Sequence, residues 1–110
     1  LIGFWSLAVF ASWMGAHHLI GGPVPVWLTS ASIVASASML VPILITTLNY
    51  ALTLSGAWMR AWRNPALRFI IFGALAYTSI SIMGACMALR DVNVTTHFTQ
   101  FTIAHSHSSP

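Results

Sequence analysis

The sequence predicts an all-α transmembrane helical bundle, and three observations carry that reading. Charged residues make up 5% of the chain, against roughly a quarter of an ordinary soluble domain. No charge of either sign occurs from Leu1 until Arg60. Between punctuating glycines, prolines and arginines lie apolar segments, two of which reach the ~20 residues that cross a bilayer. A soluble fold of this size leaves much of its chain area wet, and so few ionisable groups would not cover it.

The segments follow in order. The first runs from Leu1 to about Leu19 and is ended by Gly21-Gly22-Pro23-Val24-Pro25. The second runs from about Trp27 to Leu54 without a charge, long enough to span with some tilt. Pro42 lies inside it and predicts a kink, which neighbouring helices tolerate by satisfying the freed carbonyl. A loop from Ser55 to Pro65 holds Trp58, Arg60, Trp62 and Arg63. The third segment, about 66–89, spans again. Arg90, Asp91 and Asn93 then mark an interface, and a fourth helix is expected to start near Thr95 or Thr96 and fill 96–110. The chain opens at Leu1 inside an apolar run and stops at Ser-Ser-Pro, which suggests an internal fragment, residues 1–110, of one larger membrane domain. Partners for its metal ligands are then expected outside it.

Charge placement sets an orientation. The positive-inside rule puts the Ser55–Pro65 loop in the cytoplasm, with Trp58 and Trp62 at headgroup level. Counting spans outward, the Gly21–Val26 turn and the Arg90–Thr96 loop share the opposite face, and so does every histidine. Small residues in the second and third spans (Ser32, Ala35, Ser36, Gly73, Gly84, Ala85 among them) read as surfaces for close helix packing. The net charge of +3 comes from four arginines and is no sign of a nucleic-acid partner. Cys86 is the only cysteine, so no intrachain disulfide forms. No nucleotide loop, soluble-type catalytic triad or carboxylate pair is present.

The chemistry lies in the five histidines, which fall into two clusters: His17-His18, and His97, His105, His107. Histidine within a membrane segment is costly and marks function by default. His105 and His107 are two apart, so on a helix they point about 200° from one another. They suit two different cofactors, one on each side of the helix, such as two haems taking an imidazole each. His17 and His18 are about 100° apart, and at a helix end both can bind one ion. Adjacent imidazoles without a carboxylate or thiolate suit copper, with zinc and iron as other candidates. A further ligand must come from elsewhere.

Three stretches carry a family resemblance: G-A-H-H-L-I-G-G-P-V-P-V-W-L (Gly15–Leu28), the L-S-G-A-W and N-P-A-L-R-F pieces around the arginine loop, and V-N-V-T-T-H-F-T-Q-F-T-I-A-H-S-H (Val92–His107). Over essentially the whole chain the sequence resembles the catalytic subunit of the haem–copper oxidases, C-type (cbb3-type cytochrome c oxidase) branch, with the nitric oxide reductases behind it. The resemblance implies helices seven to nine and the start of helix ten of a twelve-helix subunit. It implies two haems, a low-spin b-type and a high-spin one, and one copper. His17 and His18 match two copper ligands, His105 the high-spin haem ligand, and His107 a low-spin haem ligand. His97 matches a histidine near the haem propionates, although a plain interface histidine fits it equally well. Tyr77 matches a tyrosine of the proton path, although a core tyrosine with a satisfied hydroxyl fits as well.

The implied activity is a terminal respiratory oxidase, reducing dioxygen to water with electrons from cytochrome c and translocating protons. The implied partners are other oxidase subunits, c-type cytochrome subunits included, and the location is a bacterial inner membrane. Two departures stand out. The C-type oxidases carry a tyrosine six residues before the His-His pair, where this chain has Ala11. They carry a glutamate near the end of the third span, where this chain has Met83 and Met87 and no glutamate anywhere. Ligands without the tyrosine resemble a nitric oxide reductase more than an oxidase, while the Leu-Ile-Gly-Gly-Pro-Val-Pro flank has the C-type oxidase form, and an inactive divergent homologue is a third possibility. A non-catalytic helical bundle is the remaining reading.

Overall fold

The computed structural model describes residues 1–108, and all regular structure among them is helical. Ser109 and Pro110, the last residues of the expected fourth segment, lie outside the described residues. Helix α1 (Ile2–Met14) is apolar but for Ser6 and Ser12, whose hydroxyls donate to carbonyls of their own helix. It tightens into a 3₁₀ turn over Gly15–Leu19, and that turn carries His17 and His18. The chain then reverses. Gly22 N–H donates to the Leu19 carbonyl at 3.0 Å, and Val24 N–H to that of Gly22 at 2.8 Å. Gly21 turns the corner with φ +92°, and a Cβ there would lie 3.2 Å from the His97 ring. Both the conformation and the close approach call for glycine.

Helices α2 (Val26–Ser38) and α3 (Leu40–Leu54) make one 29-residue apolar segment interrupted at Met39. Met39 itself stays right-handed helical (φ −63°, ψ −20°), so the chain continues in the same sense through the interruption. Pro42 explains the place: it has no N–H for the carbonyl of Ser38, four residues back. Helix α1 packs on both halves of this segment, and α3 packs on α5. Across that second contact Thr47 and Thr78 hydroxyls pair at 2.8 Å, and Thr78 also donates to the Ala74 carbonyl.

The arginine loop is not wholly irregular, for it contains a short helix, α4 (Trp58–Arg63). Helix α5 (Pro65–Met87) starts where the sequence signals it: Pro65 takes the first position and the Asn64 side chain accepts the Ala66 N–H at 3.0 Å. At its far end the buried Asn93 amide donates to the Met87 carbonyl at 3.1 Å, filling one of the acceptors a helix terminus leaves open.

The last helix differs from the sequence expectation. Residues Arg90–Thr96 form their own short helix, α6, and α7 starts at Gln100 and runs to Ser108. The break is local: Phe98 adopts φ +61°, and the Thr99 hydroxyl then accepts the Phe101 N–H at 3.3 Å. Arg90 reaches α2 through a 3.2 Å bond to the Ser30 hydroxyl, and Thr102 ties α7 back to the Thr96 carbonyl at 2.8 Å.

The assembly measures 51 × 32 × 19 Å with a radius of gyration of 15.9 Å, against about 13 Å for a compact chain of this length. It is a slab about two helices thick. Few large side chains are enclosed, Ile43 chief among them, while the outer faces are apolar, as at Phe69 and Phe72. Such surface suits lipid or further helices rather than water. The arginines of α4 sit at one end of α5 and Gly84, beside the histidines, near the other, roughly 28 Å apart at 1.5 Å per residue.

Candidate metal centre

The 3₁₀ turn after α1 and the middle of α7 meet over the far end of α5, and there three imidazoles gather. The ring centroids of His17 and His18 lie 4.2 Å apart, those of His17 and His105 6.0 Å, and those of His18 and His105 5.5 Å. One nitrogen from each ring lies within 4.8 Å of the others. Two imidazole nitrogens bonded to a common ion at 2.0–2.1 Å sit no more than about 4.2 Å apart, so small side-chain rotations bring this set onto one metal.

Each ring is held by its surroundings. His17 is only 3% exposed, and its Nδ1 pairs with the Ser36 hydroxyl of α2 at 3.1 Å. With the proton on Nδ1 donated to that oxygen, Nε2 keeps its lone pair free for a metal. His105 is buried against α5 at Gly84, where an added Cβ would fall 3.0 Å from its Cε1. His17 Nε2 and His105 Nδ1 are both buried without a hydrogen-bond partner among the described residues. Leaving such atoms unpaired costs about 1–3 kcal/mol each, and a bound metal is the partner that this donor chemistry fits.

The cluster opens on a cavity of about 510 Å³ whose walls include Ala11, Met14, Met39, Ile43, Tyr77 and Ser106. That volume falls within the ~300–1,000 Å³ of cofactor sites. Tyr77 therefore lines the same space as the three histidines. His107 does not. It lies exposed on the other side of α7, with its Nδ1 2.9 Å from the Ile103 carbonyl of its own helix, so the two histidines of α7 face apart. His97 sits elsewhere too. It packs on Gly21 and lines a second cavity, of about 460 Å³, with Arg90 and Asn93. Imidazole and guanidinium together suit an anionic group such as a carboxylate.

The residues the sequence did not single out are Ser36 and Gly84. Both stand in runs of small residues, where a serine that orients an imidazole and a glycine that admits one look like packing positions.

The family profile described as Cytochrome C and Quinol oxidase polypeptide I matches residues 1–109. The chain is 35% identical over 108 residues to the cbb3-type cytochrome c oxidase subunit CcoN1 of Stutzerimonas stutzeri, covering 98% of this chain and 23% of that protein. It is 32% identical to a cytochrome c oxidase subunit 1 homolog of Agrobacterium tumefaciens and to cytochrome c oxidase subunit 1 of Rhodobacter capsulatus, covering 98% of this chain and 20% of each. The chain thus spans less than a quarter of the length of the curated relatives it matches.

Proposed function

The chain belongs to the family of cytochrome c and quinol oxidase polypeptide I, and from that premise we propose that it is the part of a cbb3-type cytochrome c oxidase subunit I that holds the oxygen-reducing centre. The three-imidazole cluster beside a cofactor-sized cavity carries the reading. His17 and His18 hold the copper, completed by a ligand from the rest of the subunit. His105 would hold the high-spin haem, and His107, facing the other way, the low-spin b-type haem. His97, with Arg90, receives the haem propionates. When bound, the haems and copper supply the electrons and the binding place for dioxygen, which is reduced to water.

The remaining work falls to the protein. Ser36 fixes the His17 ring so that one nitrogen alone is offered to the metal, as outer-shell partners do. Met14, Met39 and Ile43 keep the wall apolar around the donors, which limits water and strengthens ligand bonds. Tyr77 holds the phenol proton nearest this space and serves the proton path. The subunit sits in a bacterial inner membrane with other oxidase subunits, c-type cytochrome subunits among them, and takes electrons that originate in cytochrome c.

A second reading rests on one observation. Ala11 lines the cavity where the oxidases carry tyrosine, and reduction of nitric oxide needs no such phenol. The test is turnover of the full subunit, purified with its partner subunits, on dioxygen and nitric oxide separately. Dioxygen consumption is the expected result. Nitric oxide consumption alone moves the protein to the reductases.

A further inference from the structure

Positive charge gathers at the start of α5 with no side-chain carboxylate to balance it. Arg60 and Arg63 stand on α4 and Arg68 near the start of α5, all three exposed. A cation sits badly at the positive end of a helix, and α5 is 23 residues long. The one acidic residue of the chain, Asp91, lies beyond the other end of α5, and Arg68 to Met87 alone is roughly 28 Å of helix. Beside this charge runs a groove of about 630 Å³, lined by Trp62 of α4 and by Pro65, Arg68, Phe69, Phe72 and Leu75 of α5. Those α5 positions share one stripe about 120° wide, and the stripe is roughly 15 Å long at 1.5 Å per residue. That is half of the ~30 Å hydrocarbon core of a bilayer, the depth of a single leaflet.

We propose that this groove binds one anionic phospholipid, with its phosphate on Arg68 beside Trp62 and an acyl chain laid along Phe69, Phe72 and Leu75. A guanidinium binds phosphate oxygens through paired, charge-assisted hydrogen bonds, and tryptophan favours the headgroup level. Arg60 and Arg63 add to the attraction, since each arginine near an anionic headgroup is worth about fivefold in affinity. The rim and the groove are held as one structure: α4 packs on α5, with Ala61 of the one and Ile71 of the other both buried. Charge and length together select the occupant. A further spanning helix needs an apolar seat through both leaflets, ~20 residues long, and would set its apolar side against an arginine. A phospholipid changes from charged to apolar within the same leaflet as the groove does. The site needs only that α5 spans a bilayer, and it stands apart from the histidines at the far end.

The experiment uses the full subunit with its partner subunits, reconstituted in phosphatidylcholine bilayers that contain phosphatidylglycerol with a photoreactive diazirine on one acyl chain. Irradiation and peptide mapping should place an adduct within residues 69–75, and unlabelled phosphatidylglycerol should compete for it better than unlabelled phosphatidylcholine. Arg68→Gln should weaken that competition about fivefold, the share of one arginine. Leu75→Trp, which fills the groove and keeps every charge, should reduce the adduct itself. Both positions are exposed, so both variants should fold. An adduct that the two lipids compete for equally would mean ordinary boundary lipid, and no adduct within 69–75 would mean that another part of the subunit fills the groove. Either result overturns the proposal, as does a competition unmoved by Arg68→Gln. Haem and copper content of the same preparations reports separately on the oxidase reading, and their absence would leave the lipid site untouched.

Discussion

Replacing Ser36 by alanine removes the hydroxyl that pairs with the His17 ring. Ser36 is 2% exposed and His17 3%, and His17 Nδ1 pairs with the Ser36 hydroxyl at 3.1 Å. The change barely alters volume, so helix packing between α1 and α2 survives. What changes is the imidazole: its Nδ1–H loses its acceptor, the ring is free to rotate, and Nε2 is no longer presented in one direction. Loss of an outer-shell partner to a metal-bound histidine typically lowers metal affinity 10–100-fold, or about 1.4–2.8 kcal/mol at 1.4 kcal/mol per tenfold. The same range follows from the ~1–3 kcal/mol cost of a buried polar group left unpaired. The assay is copper retention by the purified full subunit against a graded series of chelator concentrations, with folding checked by the thermal midpoint. Expected is a 10–100-fold shift in the half-release point with the midpoint nearly unmoved. A shift below twofold, with the protein folded, would refute the role given to Ser36.

Other consequences are expected of the same geometry. His107→Ala should abolish the low-spin haem spectrum while the high-spin haem and copper remain, because His107 faces away from the three-imidazole cluster; loss of both haems together would contradict that separation. Gly21→Ala should destabilise the subunit by about 1–3 kcal/mol, the usual cost of forcing a side chain into a sparsely populated backbone region, and should disturb His97, against whose ring the new Cβ would press; thermal unfolding in detergent reads the first effect and the haem spectrum the second. A double-mutant cycle of Thr47→Val and Thr78→Val should give a coupling near the ~0.6 kcal/mol average of hydrogen bonds between membrane helices, and an additive pair would show that the 2.8 Å contact between α3 and α5 contributes nothing.

Some of this was legible in the sequence because the cause was local. Pro42 weakens its helix through a missing N–H, and the helix is interrupted at Met39, beside the Ser38 carbonyl left without that donor. Asn64-Pro65 opens α5 because both residues suit a helix start on their own account. The opposite facing of His105 and His107 follows from the helical angle between positions two apart. Where the cause was tertiary, the sequence was silent. Nothing in it distinguishes Phe98 as a residue with positive φ, so the split of α6 from α7 did not show. The short helix of Trp58–Arg63 hid in a loop of aromatic and basic residues that also read well as an interface. Ser36 and Gly84 acquire meaning only when α2 and α5 bring them beside histidines distant in the chain, at separations of 19 and 21 residues from His17 and His105 respectively (36 − 17 and 105 − 84). The histidines themselves were conspicuous, but that His105 joins His17 and His18 in one cluster required the fold.

The central claim is that these histidines hold two haems and a copper, and cofactor content tests it most directly. The full subunit, purified in detergent with its partner subunits, would be assayed for iron, copper and haem, and its reduced and oxidised optical spectra recorded. One copper, one low-spin and one high-spin haem are expected, with His105→Ala losing the high-spin signal alone. A folded subunit that binds neither haem nor copper would contradict it and leave a helical membrane bundle whose histidines serve only its own packing.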